Sequence, residues 1–292
     1  VGWVGQIKKS SIKNQKKGYI CRIIFLIPQP STMKKTVLFL AMSMFAGMAY
    51  AQVSNGLVAK YSFNDGNAND ETGTNDGTVS GATLTSDRFG NANKAYSFDG
   101  TDDKNDFGNS TVFEFGQNSF SISLWAKFSR AQHAPLLNKR NDNPNFDQYS
   151  IFVGQYNAPD SAVYCYFKPS PGGVGAAERN IPSQLLDSTW HNIVVTHSFL
   201  DSTTMYIDGV RVGSSTTAFT TQNFDIDGAN LVAGFTNVLG TDYYLNGSLD
   251  DIRIYNRQLN AAEVDSLFNE PDPLAIGVER TAAAADVIAI YP

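Results

Sequence analysis

Cysteine and histidine are scarce in this sequence: of its 292 residues, two are Cys and three are His. Cys21 lies upstream of the mature chain defined below, so Cys165 remains alone and an intramolecular disulfide is excluded. The histidines His133, His191 and His197 lack the close His or Cys spacing of zinc sites. Stability must therefore come mainly from a hydrophobic core.

Glutamate is also scarce, and the common catalytic motifs are missing. The sequence contains no Gly-x-Ser-x-Gly nucleophile elbow. It also lacks a strand with clustered carboxylates at alternate positions, such as retaining glycoside hydrolysis uses. The nearest pattern is Asp225-Ile226-Asp227, but Gly228 follows and the segment has the composition of a turn. These absences argue against an enzyme.

One long apolar run, Thr36 to Met48, has the features of a secretory signal. Met33-Lys34-Lys35 precedes it as a basic start, and Ala49-Tyr50-Ala51 follows as a small-x-small cleavage site before Gln52. The run is too short to span a bilayer stably. We expect residues 1–32 to be an upstream extension, residues 33–51 a signal peptide and the mature protein to be secreted or displayed at the cell surface.

Basic residues are few once the leader is removed. Residues 52–292 hold 14 Lys and Arg against 28 Asp and Glu, a net charge of −14. That charge argues against nucleic acid and anionic membranes as partners, because phosphate binding depends on Lys and Arg. It is compatible with an exported protein that attracts divalent cations.

The mature chain consists of short apolar segments separated by Gly, Asn, Asp and Ser, which predicts an all-β fold. Residues 120–128 alternate apolar with small or polar residues, as a strand with one buried face does. Asp208-Gly209 predicts a hairpin turn. Near the end, Asn260 as N-cap and Glu263 at the third helical position predict a helix from Ala261 to Phe268. Trp125 and Trp190 are predicted to be largely buried.

Several motifs, in order, resemble bacterial laminin-G-like jelly-roll domains. They are Gly56 to Phe63, Asn67 to Gly73, Asp87 to Ala92, Ala95 to Gly100, Ser121 to Trp125, Trp190 to Thr196, Tyr206 to Gly209 and Gly247 to Arg257. The resemblance implies a two-sheet antiparallel jelly-roll β-sandwich of the concanavalin A-like kind, here with one short C-terminal helix. We assign residues 52–270 to this domain.

Residues 271–292 are predicted to be a linker followed by the start of a further region. Ile288-Ala289-Ile290-Tyr291-Pro292 looks like the opening of the C-terminal sorting domain of bacterial type IX secretion.

The resemblance also implies a structural Ca²⁺ in many members. Period two places Asp250 on the core-facing side with Ile252 and Ile254, and turns Asp251 and Arg253 the other way. A buried carboxylate needs hydrogen bonds or a cation. Asp70, in an Asn/Asp/Gly turn, is the second predicted ligand. The alternative is a plain turn role for Asp70 and backbone hydrogen bonds for Asp250.

For ligand contact, exposed aromatics near loops are the candidates, because sugar rings stack on flat side chains. They are Tyr243, Tyr244, Tyr156 and Tyr149, with Asp103, Asn141 and Asp142 as polar partners. The favoured function is a non-catalytic adhesion or carbohydrate-binding module that contacts a glycan or an extracellular protein. The alternatives are a glycoside hydrolase or polysaccharide lyase, which needs a carboxylate pair, and a structural spacer.

Overall fold

A computed structural model describes residues 53–130, 132–141, 147–155, 158–168, 185–199, 202–215, 223–226 and 228–275. The predicted signal peptide and the predicted sorting segment lie outside these residues. None of the helices in the described ranges is long and apolar enough to cross a membrane.

The larger sheet has eight antiparallel strands. In spatial order they are β12 (Val210–Ser215), β11 (Thr203–Ile207), β10 (His191–His197), β6 (Phe120–Lys127), β16 (Asn246–Tyr255), β4 (Ala95–Asp99) and β3 (Thr83–Thr85), and β1 (Leu57–Tyr61) also pairs with β16. Strands far apart in the chain are neighbours here, as expected for a jelly roll.

The second sheet has six strands. Their order is β2 (Thr78–Ser80), β5 (Lys104–Asp106), β13 (Leu231–Ala233), β7 (Ala134–Asn141), β8 (Asp147–Gln155) and β9 (Ala158–Lys168). A separate hairpin consists of β14 (Phe235–Val238) and β15 (Thr241–Tyr244). A short 3-10 helix spans Thr111–Phe113. The antiparallel two-sheet sandwich predicted from the sequence is confirmed.

The core lies between the two sheets and is rich in aromatic rings. On β6, Phe120, Ile122 and Leu124 face it, as the alternating pattern predicts, and each is almost fully buried. The Phe120 ring stacks on Phe115, with ring centroids 4.2 Å apart, and also contacts Tyr149 from the opposite sheet. Each such buried side chain contributes roughly 1.5–3 kcal/mol to folding.

The predicted hairpin and helix are both present. Asp208 and Gly209 have φ values of 50° and 75° between β11 and β12, as a two-residue hairpin turn requires. Helix α1 (Ala261–Phe268) begins with the predicted capping box between Asn260 and Glu263. The helix packs on the outer face of the larger sheet, where Val264 and Leu267 are buried.

The two tryptophans differ in burial. Trp125 is 9% exposed, and its ring stacks on Phe268 of α1 at 5.9 Å. Its predicted burial is confirmed, although it faces the helix rather than the space between the sheets. Trp190 is only half-buried, which corrects the prediction, because it lies just before β10 with its ring under the Lys127 ammonium.

Candidate functional site

The outer side of the six-stranded sheet carries a cluster of aromatic side chains, here called the aromatic face: Phe152, Tyr164 and Tyr166 with the adjacent His133 and Tyr243. Residues at alternate positions of β8 and β9 point into the core, so Phe152, Tyr164 and Tyr166 point away from it and form a cluster of their own. Phe152 and Tyr166 meet edge to face at 5.6 Å. The face therefore follows from the period of two in both strands.

His133 connects this cluster to the β14–β15 hairpin. Its ring stacks on Phe152 at 5.1 Å and meets Tyr243 edge to face at 4.9 Å. Burial lowers the pKa of His133, and the nearby Arg140 guanidinium lowers it further, although a hydrogen bond to the Gly154 carbonyl opposes the shift. The imidazole is therefore neutral at pH 7 and serves as a flat surface rather than a cation.

The hairpin is fastened to the sheet by Asn138, whose Nδ2 donates to the carbonyl oxygens of Val232 and Phe235. Within the hairpin, Tyr243 is opposite Thr236 and Tyr244 is opposite Phe235. Because neighbouring strand residues point to opposite sides, the two tyrosines face different surroundings.

Tyr243 thus belongs to the aromatic face, whereas Tyr244 lies beside Phe235, with ring centroids 4.9 Å apart. Partial burial raises the pKa of Tyr244, and the carboxylates of Asp242 and Asp102 add to this rise. The sequence predicted the two tyrosines as one site, and the structure separates them.

The other residues predicted to contact a ligand are not part of the aromatic face as the structure describes it. Tyr149 is fully buried, and its hydroxyl donates to the Phe113 carbonyl, so its prediction as an exposed contact is wrong. Tyr156 and Asp142 lie outside the described residues, as does the side chain of Asn141. Sequence reasoning missed Phe152, Tyr164 and Tyr166; alternation along β8 and β9 was the signal that could have found them.

Asp103 is buried and lies in a loop with two other carboxylates. Its Oδ2 accepts a hydrogen bond from Asp99 N at 2.8 Å. Carboxylate oxygens of Asp99, Asp102 and Asp103 come within 4.8 Å of one another, and the first two residues are exposed. Burial raises the pKa of Asp103, and the charges of Asp99 and Asp102 contribute to that rise. Hard oxygen ligands of this kind suit Ca²⁺.

Asp70 holds the loop after β1 in place. Its Oδ1 accepts from Lys60 N at 3.1 Å and from Thr72 N at 3.0 Å, and its Oδ2 accepts from Asn75 Nδ2 at 3.0 Å. These hydrogen bonds outweigh burial and lower the pKa of Asp70. The carboxylate is thus satisfied by protein donors. This agrees with the alternative prediction, in which Asp70 stabilises a turn and does not bind a metal.

Asp250 does not face the core, because a β-bulge interrupts the alternation in β16. Asp250 is opposite Trp125, and Arg253 is opposite Ser123. The two residues of β16 between them are therefore opposite a single residue of β6, Leu124. Asp251 takes the extra position with a φ of 48°. The bulge puts Asp250 and Arg253 on the same outer face, which corrects the predicted phase.

On that face Asp250 takes part in a buried ion network with two arginines. Its Oδ2 lies 3.4 Å from Arg88 Nη1, while Asp251 Oδ2 lies 2.8 Å from the same nitrogen. Arg253 binds Asp251 through two hydrogen bonds, and Glu270 accepts from both arginines.

The two adjacent carboxylates have opposite pKa shifts. Burial and the neighbouring Asp251 raise the pKa of Asp250 to about 8. For Asp251, Arg253 and Arg88 outweigh burial and lower the pKa. Asp250 and Asp70 share no partner among the described residues, and a guanidinium already lies against Asp250. The predicted pair therefore does not fit a calcium site.

Comparison with known proteins bears on these surfaces. The sequence profile described as "Concanavalin A-like lectin/glucanases superfamily" matches residues 99–265, more than half of the chain. The chain belongs to this superfamily. A search among curated proteins found no match.

Solved structures of similar fold extend the comparison. The binding domain of Paraclostridial Mosquitocidal Protein 1 has a TM-score of 0.59 and 18% identity, over 74% of this chain and 52% of that one. Domain 4 of AbnA, a GH43 extracellular arabinanase from Geobacillus stearothermophilus solved with arabinotriose, has a TM-score of 0.54 and 21% identity, over 73% and 98%. A Trypanosoma rangeli sialidase has a TM-score of 0.55 and 18% identity, over 73% and 32%.

These identities show the fold alone. The chain spans about half the length of the mosquitocidal binding domain and about a third of the sialidase. The superfamily includes binding domains and glycosidases, so function has to be argued from the site.

Proposed function

We propose that this protein is a non-catalytic carbohydrate-binding module that contacts a glycan through its aromatic face. The observation that carries the proposal is the group of Tyr166, Tyr243 and His133 rings, each half-buried, around the buried Phe152. Each ring is therefore partly exposed, and packing against its neighbours holds it in place. Preformed aromatic surfaces of this kind suit the apolar faces of sugar rings.

Two similar structures support a glycan as partner. The arabinanase domain was solved in complex with arabinotriose. The type C botulinum neurotoxin is 14% identical with a TM-score of 0.56, and its cell entry depends on interaction with two ganglioside molecules. An extracellular protein partner remains the alternative to a glycan.

A glycoside hydrolase or lyase is the rival function, and the carboxylates give it little support. Asp250 and Asp251 have pKa values shifted in opposite directions, as acid and base partners in an enzyme often do. However, the cavity that they line has a volume of about 70 Å³. Small-molecule sites are usually roughly 300–1,000 Å³. Arg88 also contacts both carboxylates and Arg253 binds Asp251, so guanidinium groups of the protein already neutralise part of their charge.

The experiment is a glycan array followed by calorimetry of any ligand found. We expect Tyr166→Ala and Tyr243→Ala each to weaken binding about tenfold or more, which corresponds to roughly 1.4 kcal/mol. Tyr244→Ala is the matched control, because it removes the same ring from the other side of the hairpin. Equal losses in all three variants would contradict the aromatic face as the site. An array with no binding would favour the spacer function, and polysaccharide turnover would favour an enzyme.

We propose export on the basis of the predicted signal peptide, residues 33–51, with the mature protein at the cell surface or outside the cell. N-terminal sequencing of the secreted protein should then begin at Gln52.

A further inference from the structure

A second polar groove crosses the outer face of the eight-stranded sheet. Ser248 on β16 is paired with Ser97 on β4 on one side and with Lys127 on β6 on the other, so the three side chains form one row. Asp99 and Asn246 border one end, and Ser129 and Ser188 lie along the wall. The groove has a volume of about 430 Å³, which is sufficient for a small ligand.

The floor of this groove contains a polar group without a protein partner. Ser248 is 7% exposed, and its hydroxyl makes no hydrogen bond with any described residue. The hydroxyl of Ser97 beside it also has no partner within the described ranges. Both hydroxyl oxygens are reached by solvent, so water satisfies them in the free protein and the hydroxyl groups of a ligand can replace that water.

Lys127 provides a cation at the same place. Its Nζ lies 4.9 Å from the centroid of the Trp190 ring, and in the described part of the chain no carboxylate pairs with it. Trp190 thus holds the ammonium beside the groove without using its three hydrogen-bond donors. A ligand can accept hydrogen bonds from it directly.

The opposite end of the groove is acidic. Asp99 is exposed there, and the carboxylate oxygens of Asp102 and Asp103 lie within 4.8 Å of its own. Asn246 closes this end by donating from Nδ2 to the Asp99 carbonyl, and the Gln132 side chain exchanges two hydrogen bonds with the Asn246 backbone. The wall is therefore firmly held. The Arg130 guanidinium lies beside Gly100 and Asn246 at this end, so three carboxylates are opposed by one guanidinium and the net charge there is negative.

We propose that this groove is a second carbohydrate site, which binds a neutral sugar residue independently of the aromatic face. Hydroxyl groups at well-separated positions of a sugar can donate to the Asp99 carboxylate and accept from Lys127, while the serine hydroxyls between them both donate and accept. A phosphate or sulfate meets two cations, Lys127 and the Arg130 guanidinium beside Gly100 and Asn246, against the three carboxylates of Asp99, Asp102 and Asp103. The combination of a cation, an anion and hydroxyls between them matches a polyhydroxylated neutral ligand.

The test uses an array of neutral and sulfated oligosaccharides with the intact protein and the variants Ser248→Val and Lys127→Met. We expect a set of neutral glycans that both variants bind at least tenfold more weakly and that Tyr166→Ala binds as the wild type does. Lys104→Met is the matched control, because Lys104 also lies over an aromatic ring, that of Phe235 at 5.4 Å, but on the other sheet. Thermal melting confirms that each variant is folded.

Trp190 gives a second, independent measurement. Titration of the wild type with the neutral glycans identified on the array should change tryptophan fluorescence, and Lys127→Met should abolish that change. If every bound glycan depends on Tyr166 and none on Ser248 or Lys127, the second site is disproved while the first stands. If only sulfated glycans depend on the groove, the assignment to neutral sugars is wrong.

Discussion

Asp250 has a very different environment in the folded protein from the one it has in the unfolded chain, because it is buried beside another carboxylate. Three carboxylates, Asp250, Asp251 and Glu270, share two guanidinium groups in a largely buried network. Asp251 lies closer to both arginines than Asp250 does. The loss of hydration therefore destabilises the ionised form of Asp250 with little compensation from a positive charge. A proton on Asp250 balances the charge of the network, and this accounts for its pKa of about 8.

The first prediction is a pH dependence of stability that Asp250 controls. The unfolded chain releases this proton near pH 3.8, whereas the folded protein keeps it to about pH 8. Raising the pH through that window therefore favours the unfolded state and lowers the free energy of unfolding. Asp250→Asn should remove this loss and be more stable than the wild type at pH 9 by a few kcal/mol, since one pKa unit corresponds to about 1.36 kcal/mol.

Urea denaturation between pH 5 and pH 9 measures this effect. The control is Asp251→Asn, which leaves Arg88 and Arg253 without their shared anion and should destabilise at neutral pH, because the lowered pKa of Asp251 reflects a stabilising charge. Parallel stability curves for the wild type and Asp250→Asn over this range would show that Asp250 is ionised throughout.

At the scale of secondary-structure elements, helix α1 is specified by its own sequence and then used to cover the larger sheet. Asn260 Oδ1 accepts from Ala262 N and Glu263 N, and Glu263 Oε2 accepts from Asn260 N. Glu263 also binds Arg257, the arginine that follows β16 closely in the chain. The cap therefore positions the helix as well as starting it.

The second prediction concerns this cap. Asn260→Ala removes two accepted hydrogen bonds and should lower the free energy of unfolding by about 1 kcal/mol. Ser266→Ala, at a half-buried position of the same helix away from the cap, is the control and should change stability by less than about 0.5 kcal/mol. Chemical denaturation compares the two variants; an effect of Ser266→Ala as large as that of Asn260→Ala would mean that the cap contributes nothing specific.

At the scale of the whole molecule, the two proposed sites lie on the outer faces of different sheets. The aromatic face belongs to the six-stranded sheet, and the serine-lined groove belongs to the eight-stranded sheet. Since the core separates them, changes at one should leave affinity at the other unaltered, because distant sites without common partners usually behave additively.

The third prediction concerns calcium, which the sequence assigned to Asp70 and Asp250; the three carboxylates Asp99, Asp102 and Asp103 are the alternative location that the same experiment compares. A cation there relieves their mutual repulsion, and at a hundredfold excess over its dissociation constant it should stabilise folding by roughly 2.7 kcal/mol. Melting of the wild type should then be lower in chelator than in Ca²⁺, and Asp99→Asn should reduce the difference. Asp70→Asn should lower the melting temperature equally in both, because it loses hydrogen bonds and not a metal.

Melting curves of the same proteins decide between the two locations. A destabilisation by Asp70→Asn or Asp250→Asn that appears only in Ca²⁺ would restore the pair predicted from the sequence. Wild-type curves that coincide in Ca²⁺ and chelator would remove calcium altogether.

The sequence by itself determined the class of fold, the β11–β12 hairpin and helix α1. These features depend on interactions within a few residues: alternation in β6, the tolerance of Asp208 and Gly209 for positive φ, and the reciprocal hydrogen bonds of Asn260 and Glu263. Local patterns of this kind are visible without knowledge of the partner strands.

Only the tertiary structure decided which face Asp250 occupies and which side chains meet. The bulge at Asp251 shifts the phase of β16 against β6, and a period of two cannot predict where such a shift occurs. Ser97, Ser248 and Lys127 come together through the pairing of strands that are far apart in the chain. Register between distant strands is set by packing of the whole core, so no local pattern in the sequence contains it.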